Sequence, residues 1–229
     1  GHLNLLGIRE PVSPWSTGGP GEAEVGGAVE TTLARWADAA HAQGASVILS
    51  HFPTPNGEAA ALVATGRADA VEMFGQLDFE HAEDYRYLSA GYRLPLVAGT
   101  DKMSSGIPVG LYRTFARLED SEPLSFDAWM SAIKRGRTFI SSGPLLRFAV
   151  DGRHIGDTLD VPVGATVDIE GEVASVFPVH VLQLVERGRV IDEVTDRAGA
   201  RSLRLRARVR VEGPSWLALR AGGPGHRPI

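Results

Sequence analysis

Residues 45–53 read ASVILSHFP, and this stretch decides the fold class. Its apolar start predicts a buried strand, and the strand ends in Ser50 and His51. The preceding segment, TTLARWADAAHAQ (31–43), carries apolar side chains at helical spacing and is followed by a glycine that can end a helix. A helix that leads directly into a buried strand is typical of an α/β fold.

The same alternation continues on both sides of this stretch. LNLLGI (3–8) predicts a strand, and a long Gly- and Pro-rich loop follows at 10–29. Further strands are predicted at 68–74, 94–101 and 109–118, and further helices at 57–66, 80–91 and 125–137. Alternating strands and helices favour a parallel sheet.

The pattern changes after residue 143. Runs such as TVDIEGEV (166–173) and RSLRLRARVRV (201–211) alternate with a period of two, which predicts a small antiparallel β-sandwich of immunoglobulin-like type. We therefore predict an α/β domain over 1–143 and a sandwich over 144–229. The arginines of the second run share one strand face and are expected to face solvent.

Composition excludes several function classes. The 229 residues carry a net charge of -5, which disfavours nucleic acid or an anionic membrane as partner. The absence of cysteine excludes disulfides, thiolate zinc sites, iron–sulfur clusters and a cysteine nucleophile. There is no apolar run of the roughly 18 residues that a membrane span needs, and no Gly-x-Ser-x-Gly nucleophile elbow. The compartment stays open.

Histidine and aspartate at strand ends are candidate metal ligands. His51 and Asp101 each follow a predicted strand, and His2 stands just before one. Functional groups of parallel α/β folds gather at the carboxyl ends of strands. Imidazole and carboxylate suit zinc, manganese or iron, and such a metal activates water for hydrolysis. The alternative is that each residue only makes a structural hydrogen bond.

An ordered set of motifs resembles a known family. The motifs are GHLNLLG (1–7), SHFPTP (50–55), VEMF (71–74), AGTDKM (98–103), PVGLYRTFARL (108–118) and AIKRGRTFISSGPLL (132–146). They resemble the PHP (polymerase and histidinol phosphatase) metallohydrolases, most of all the carbaryl-hydrolase-like (CehA/McbA) branch. DGRHIGDTL (151–159) and PSWLALRAGGPG (214–225) resemble a tail that this branch carries. The resemblance implies a distorted seven-stranded β/α barrel that hydrolyses esters with bound metal ions.

Carried over residue by residue, the resemblance implies three metal ligands. His2 resembles the histidine of the family's G-H-x-x-x-L-G segment, and His51 that of its A-H-P-like segment. Asp101 resembles the aspartate of its G-S-D-x-H segment. The metal would be divalent zinc, manganese or iron, and the substrate a small-molecule phosphate, carboxylic or carbamate ester.

Three further residues are weaker candidates. Lys102 is expected to stabilise negative charge that develops on a substrate, and Arg113 to clamp an anionic or carbonyl oxygen. For both, a structural salt bridge is the alternative. Glu72 is expected to orient a ligand histidine.

Two departures from the family pattern reduce the expected ligand set. The family's opening H-x-H motif and acidic ligand have no counterpart here, and we count about five barrel strands, so the chain is expected to be part of a longer barrel. Met103 stands where many PHP proteins have histidine, and a thioether is a poor ligand for these metals. Weak metal binding is therefore expected unless another segment or chain completes the site.

Two other functions stay open. The chain could be a non-catalytic module whose sandwich binds carbohydrate or protein, although Trp216, Phe148 and Phe177 make a thin aromatic platform. A serine esterase using Ser50 and His51 is disfavoured, because adjacent strand residues point to opposite faces. An exposed sheet edge could be covered by a second copy, so a homo-oligomer is also open.

Overall fold

The computed structural model of the protein describes residues 2–13, 31–53, 58–73 and 78–224. The fold is mixed α/β with more strand than helix, and it divides into two compact units, Gly1–Met73 and Phe74–Ile229. The domain boundary after residue 143 stays a prediction. Most of the predicted loop at 10–29 lies outside the described residues. No described helix has the length and apolar character that a bilayer crossing needs.

The described part of the first unit is built around a buried strand. Its elements are β1 (Leu3–Leu6), α1 (Leu33–His41), β2 (Ser46–Leu49), α2 (Ala59–Ala64) and β3 (Ala70–Glu72). All four residues of β2 are buried, as the apolar run predicts, and β3 pairs with β2 in parallel. Helix α1 begins after Thr32, whose hydroxyl accepts the N–H of Arg35.

Strand β1 corrects the expectation of a parallel sheet. It runs antiparallel to β2, with Leu3 opposite Leu49 and Leu6 opposite Ser46. Alternating strands and helices predict a crossover connection that makes consecutive strands parallel. The connection between β1 and β2 is long, however, and a long connection allows the next strand to run in either direction. The parallel prediction therefore holds for β2 and β3 and is wrong for β1 and β2.

The second unit begins with a short α/β segment. Its elements are α3 (Asp78–Ser89), β4 (Leu96–Val97), β5 (Arg113–Ala116), α4 (Phe126–Lys134) and β6 (Thr138–Ser141). Strands β5 and β6 are antiparallel, with Phe115 stacked on Phe139 at 4.8 Å between ring centroids. The Thr114 hydroxyl bonds both the N–H and the carbonyl of Ala98, at 2.9 and 3.0 Å. The strands are shorter than predicted, and the described residues up to 143 do not form a seven-stranded barrel.

The rest of the second unit is one antiparallel sheet. Its strands are β7 (Leu145–Val150), β8 (Arg153–His154), β9 (Thr166–Glu186), β10 (Arg189–Arg210) and β11 (Leu217–Gly222). β10 lies along one side of β9, while β7 and β11 pair with its first and second halves on the other side. Both halves of β9 contribute to one apolar core that includes Ile169, Leu184 and Leu205. The antiparallel prediction is confirmed, and the immunoglobulin-like classification stays a prediction.

The arginine face of β10 is exposed, as predicted. The side chains of Arg204, Arg206, Arg208 and Arg210 are 70% to 84% exposed, and each pairs with a nearby carboxylate. Exposed pairs of this kind contribute little to stability.

Candidate metal centre

The structure brings His2 and His51 together in the first unit. Because β1 is antiparallel to β2, the start of β1 lies at the edge where β2 ends. The Nδ1 atom of His2 is 3.2 Å from the Nε2 atom of His51, and the two rings meet edge to face. His2 is exposed and His51 is half-buried, so the pair is open to solvent on the His2 side.

Two hydrogen bonds beside the histidines connect the start of β1 to the end of β2. The Ser50 N–H donates to the His2 carbonyl at 3.4 Å, and the Asn4 side-chain amide donates to the Ser50 hydroxyl at 2.9 Å. Sequence reasoning missed Asn4, although its position two residues after His2 on a strand puts both on one face. The Ser50 hydroxyl bonds Asn4, which gives no support to a Ser50–His51 dyad.

His51 and Asp101 share an unusual backbone conformation. Their φ angles are 56° and 46°, in the left-handed region that L-residues other than glycine rarely adopt. Of the described non-glycine residues, only Asp151 and Arg187 also have positive φ, and each precedes a glycine in a two-residue hairpin turn where this is ordinary. Neither His51, in the turn at 50–53, nor Asp101 precedes a glycine in a hairpin. Such conformations concentrate at functional sites.

Glu72 places a buried carboxylate next to His51. It ends β3, is 8% exposed, and its Oε2 atom accepts the His51 N–H at 3.4 Å. The Glu72 carbonyl accepts the next N–H along the chain, that of Phe52, at 2.9 Å. Over the described ranges, no lysine or arginine forms an ion pair with Glu72.

Asp101, Lys102 and Arg113 belong to the second unit. The Lys102 ammonium donates to the carbonyls of Ser104 and Ile107 at 2.8 and 2.6 Å, which ties down its own loop. Arg113 donates to the Ser142 carbonyl at 3.0 Å. These are hydrogen bonds to backbone carbonyls, and both the substrate roles and the salt-bridge alternative stay predictions. The role of Asp101 as a third ligand likewise rests on the sequence.

The Nδ1–Nε2 contact is a hydrogen bond between the two rings, and its length is also that of two nitrogens bound to one metal ion. Two nitrogens bound to a tetrahedral zinc at 2.0–2.1 Å lie about 3.3 Å apart, close to the separation of the His2 and His51 nitrogens. Neutral imidazoles are common ligands of zinc, manganese and iron. Among the described residues, no group of three or more His, Asp or Glu is arranged to hold a metal ion. The first unit therefore supplies a pair of nitrogen donors.

Comparison with known proteins gives one weak similarity. No protein-family model and no curated protein matches the chain. A matching solved structure is a two-domain protein from Bacteroides vulgatus that contains a predicted PHP-like metal-dependent phosphoesterase, with 13% identity and a TM-score of 0.41. The match covers 98% of this chain and 62% of that one, so the chain spans less than two thirds of that protein. A likeness at this level decides neither the fold nor the function.

Proposed function

We propose that the chain is a metal-dependent hydrolase in which His2 and His51 bind a divalent cation, zinc, manganese or iron. The observation that carries the proposal is the 3.2 Å separation of their ring nitrogens, on side chains from two different strand ends. The left-handed backbone of His51 supports it. Asp101 is proposed as a further ligand from its sequence context alone.

The proposed reaction is the hydrolysis of a small-molecule phosphate, carboxylic or carbamate ester. A bound divalent metal supplies an activated water and polarises the oxygen of the scissile bond. The chain's own part is to hold the cation on two imidazoles while the exposed side of His2 leaves access for water and substrate. We further propose that the chain is a PHP metallohydrolase of the carbaryl-hydrolase-like branch, on the strength of the ordered motifs in 1–146.

The non-catalytic alternative gains no support from the aromatic residues. Trp216 packs on Tyr85 at 4.8 Å between ring centroids, and its indole N–H donates to the Ser89 hydroxyl at 3.2 Å. This indole is therefore engaged in internal packing of the second unit. Phe177 is 69% exposed, but one phenyl ring does not make a sugar-binding platform.

Zinc titration of the metal-free protein tests the proposal. We expect binding in the wild type, and at least ~10-fold weaker binding in His2→Ala and in His51→Ala, because each variant removes one of two nitrogen donors; that change is about 1.4 kcal/mol. The measurement is isothermal titration calorimetry, repeated with manganese. Loaded wild-type protein is then assayed on p-nitrophenyl phosphate and p-nitrophenyl acetate.

His154→Ala is the matched control, since His154 is an exposed histidine of the second unit on β8. It should bind zinc as the wild type does. A wild type that binds neither metal would contradict the proposal. So would unchanged binding in both site variants.

A further inference from the structure

Glu72 contacts the backbone on both sides of the His51 α-carbon. Its carboxylate accepts the N–H of His51 at 3.4 Å, and its carbonyl accepts the N–H of Phe52 at 2.9 Å. One residue thus receives two consecutive N–H groups from the neighbouring chain segment. The two bonds restrain the peptide planes before and after His51, whose orientations set its φ and ψ angles; the bond to the Phe52 N–H is the shorter one.

The strand register explains why Glu72 is in this position. β2 and β3 are parallel, with Ile48 opposite Ala70 and Leu49 opposite Val71. His51 lies two residues after the end of β2 at Leu49, and Glu72 is the last residue of β3. Beyond the end of β2, the Glu72 carboxylate accepts the N–H of His51.

The held conformation is the one that puts the His51 ring against His2. His51 has φ 56°, and in this backbone conformation its Nε2 atom lies 3.2 Å from the His2 Nδ1 atom. An L-residue released from such a conformation returns to the more common negative φ region. A change of φ at His51 redirects its side chain and separates the two nitrogens.

We infer that Glu72 is a positioning residue for His51. Its carboxylate accepts the His51 N–H and thereby keeps the His51 imidazole within hydrogen-bond distance of the His2 ring. The inference rests on the proposed function in so far as the positioned imidazole binds a cation. Glu72 acts through the backbone, by the place of its acceptor oxygen, and its negative charge is not what matters. Geometry and charge can therefore be separated by substitution.

Two conservative variants separate the effect of the acceptor position from the effect of the charge. Glu72→Gln keeps an oxygen acceptor at the same reach and removes the charge, whereas Glu72→Asp keeps the charge and withdraws the acceptor by one methylene. The matched control is Glu58→Asp, because Glu58 is another carboxylate of the first unit that accepts a backbone N–H, that of Leu33 at 3.0 Å. Histidine-side-chain ¹⁵N NMR of the metal-free protein reports the His2–His51 hydrogen bond. Zinc calorimetry reports affinity.

We expect Glu72→Asp to lose the ¹⁵N NMR signature of the His2–His51 hydrogen bond. We also expect it to bind zinc ~10- to 100-fold more weakly, the range typical of residues that orient a ligand. Glu72→Gln and Glu58→Asp should keep the signature and remain within ~3-fold of wild-type affinity, far from that range. The inference is overturned if Glu72→Gln is as impaired as Glu72→Asp, since charge would then be the relevant property. It is also overturned if Glu72→Asp leaves the signature unchanged.

The two readouts keep this inference separate from the proposed function. If the wild type binds no zinc but Glu72→Asp still abolishes the signature in the metal-free protein, the proposed function fails and the positioning role stands. If zinc binds through both histidines and the NMR signal of the His2–His51 hydrogen bond is unchanged in every Glu72 variant, only the positioning role fails.

Discussion

At pH 8, Asp84→Asn is expected to raise the free energy of unfolding by ~2–4 kcal/mol. Asp84 lies on α3, is 2% exposed, and its Oδ1 atom has no hydrogen-bond partner among the described residues. Burial raises the pKa of its carboxyl from 3.8 to about 7. At pH 8 the folded protein therefore holds a buried and poorly compensated negative charge, which the isosteric amide removes.

The sign of the pH dependence follows from the two states. Because the folded pKa of Asp84 lies above the unfolded one, the folded protein keeps a proton between pH 3.8 and about 7 that the unfolded chain has released. The stability linked to this proton is fully present below pH 3.8 and is lost as the pH rises to about 7. Wild type and Asp84→Asn should therefore converge near pH 4 and separate as the pH rises.

Urea unfolding at a series of pH values checks this expectation. Glu83→Gln is the control, because it removes the adjacent carboxyl of the same helix, which is 38% exposed and paired with Arg86. It should change stability by no more than ~0.5 kcal/mol at either pH. A gain in Asp84→Asn that is the same at pH 4 and pH 8, or a loss at pH 8, would show that the burial of this charge is not destabilising.

Gly156→Ala is expected to lower the free energy of unfolding by ~3 kcal/mol or more, the sum of backbone strain and overpacking. Gly156 has φ 86°, and a Cβ atom there would lie 2.6 Å from the main-chain carbon and oxygen of Gly136. It would also lie 2.7 Å from the Arg135 carbonyl oxygen. These are backbone atoms at the end of α4, so they cannot yield as a flexible side chain would.

Gly152→Ala is the matched control for the clash. Gly152 has φ 74°, but a Cβ atom there would meet nothing within 4 Å, so only the backbone strain of ~1 kcal/mol is expected. Urea unfolding of both variants isolates the steric part as their difference. Equal losses in the two variants would contradict the close approach of Gly156 to Gly136.

The fold was predictable where local chemistry decides it. The apolar run of β2 and the helical segment 125–137, which contains α4, are each specified within a few residues, and each is found in place. Strand direction depends on distant pairing, so the antiparallel β1 was missed. The predicted strand 166–173 is the first half of β9, because the next residues carry an irregularity of the ladder and not a turn.

The site was predictable as residue types and only partly as geometry. His2 and His51 were expected at strand ends, and they meet there, although the antiparallel start of β1 rather than a parallel edge is what places His2. Glu72 was expected to orient a histidine, but no spacing rule predicts a carboxylate bonded to a backbone N–H. The burial of Asp84 was likewise hidden, because α3 carries no strong apolar stripe to show which face is covered.

X-ray absorption spectroscopy of the zinc-loaded protein tests the central claim most directly. Two imidazole nitrogens on one zinc are expected in the wild type, at about 2.0–2.1 Å. The imidazole count should fall to one in His51→Ala, while His154→Ala keeps the wild-type spectrum. A zinc surrounded only by oxygen, or a spectrum unchanged by both His2→Ala and His51→Ala, would contradict a metal centre built on these two histidines.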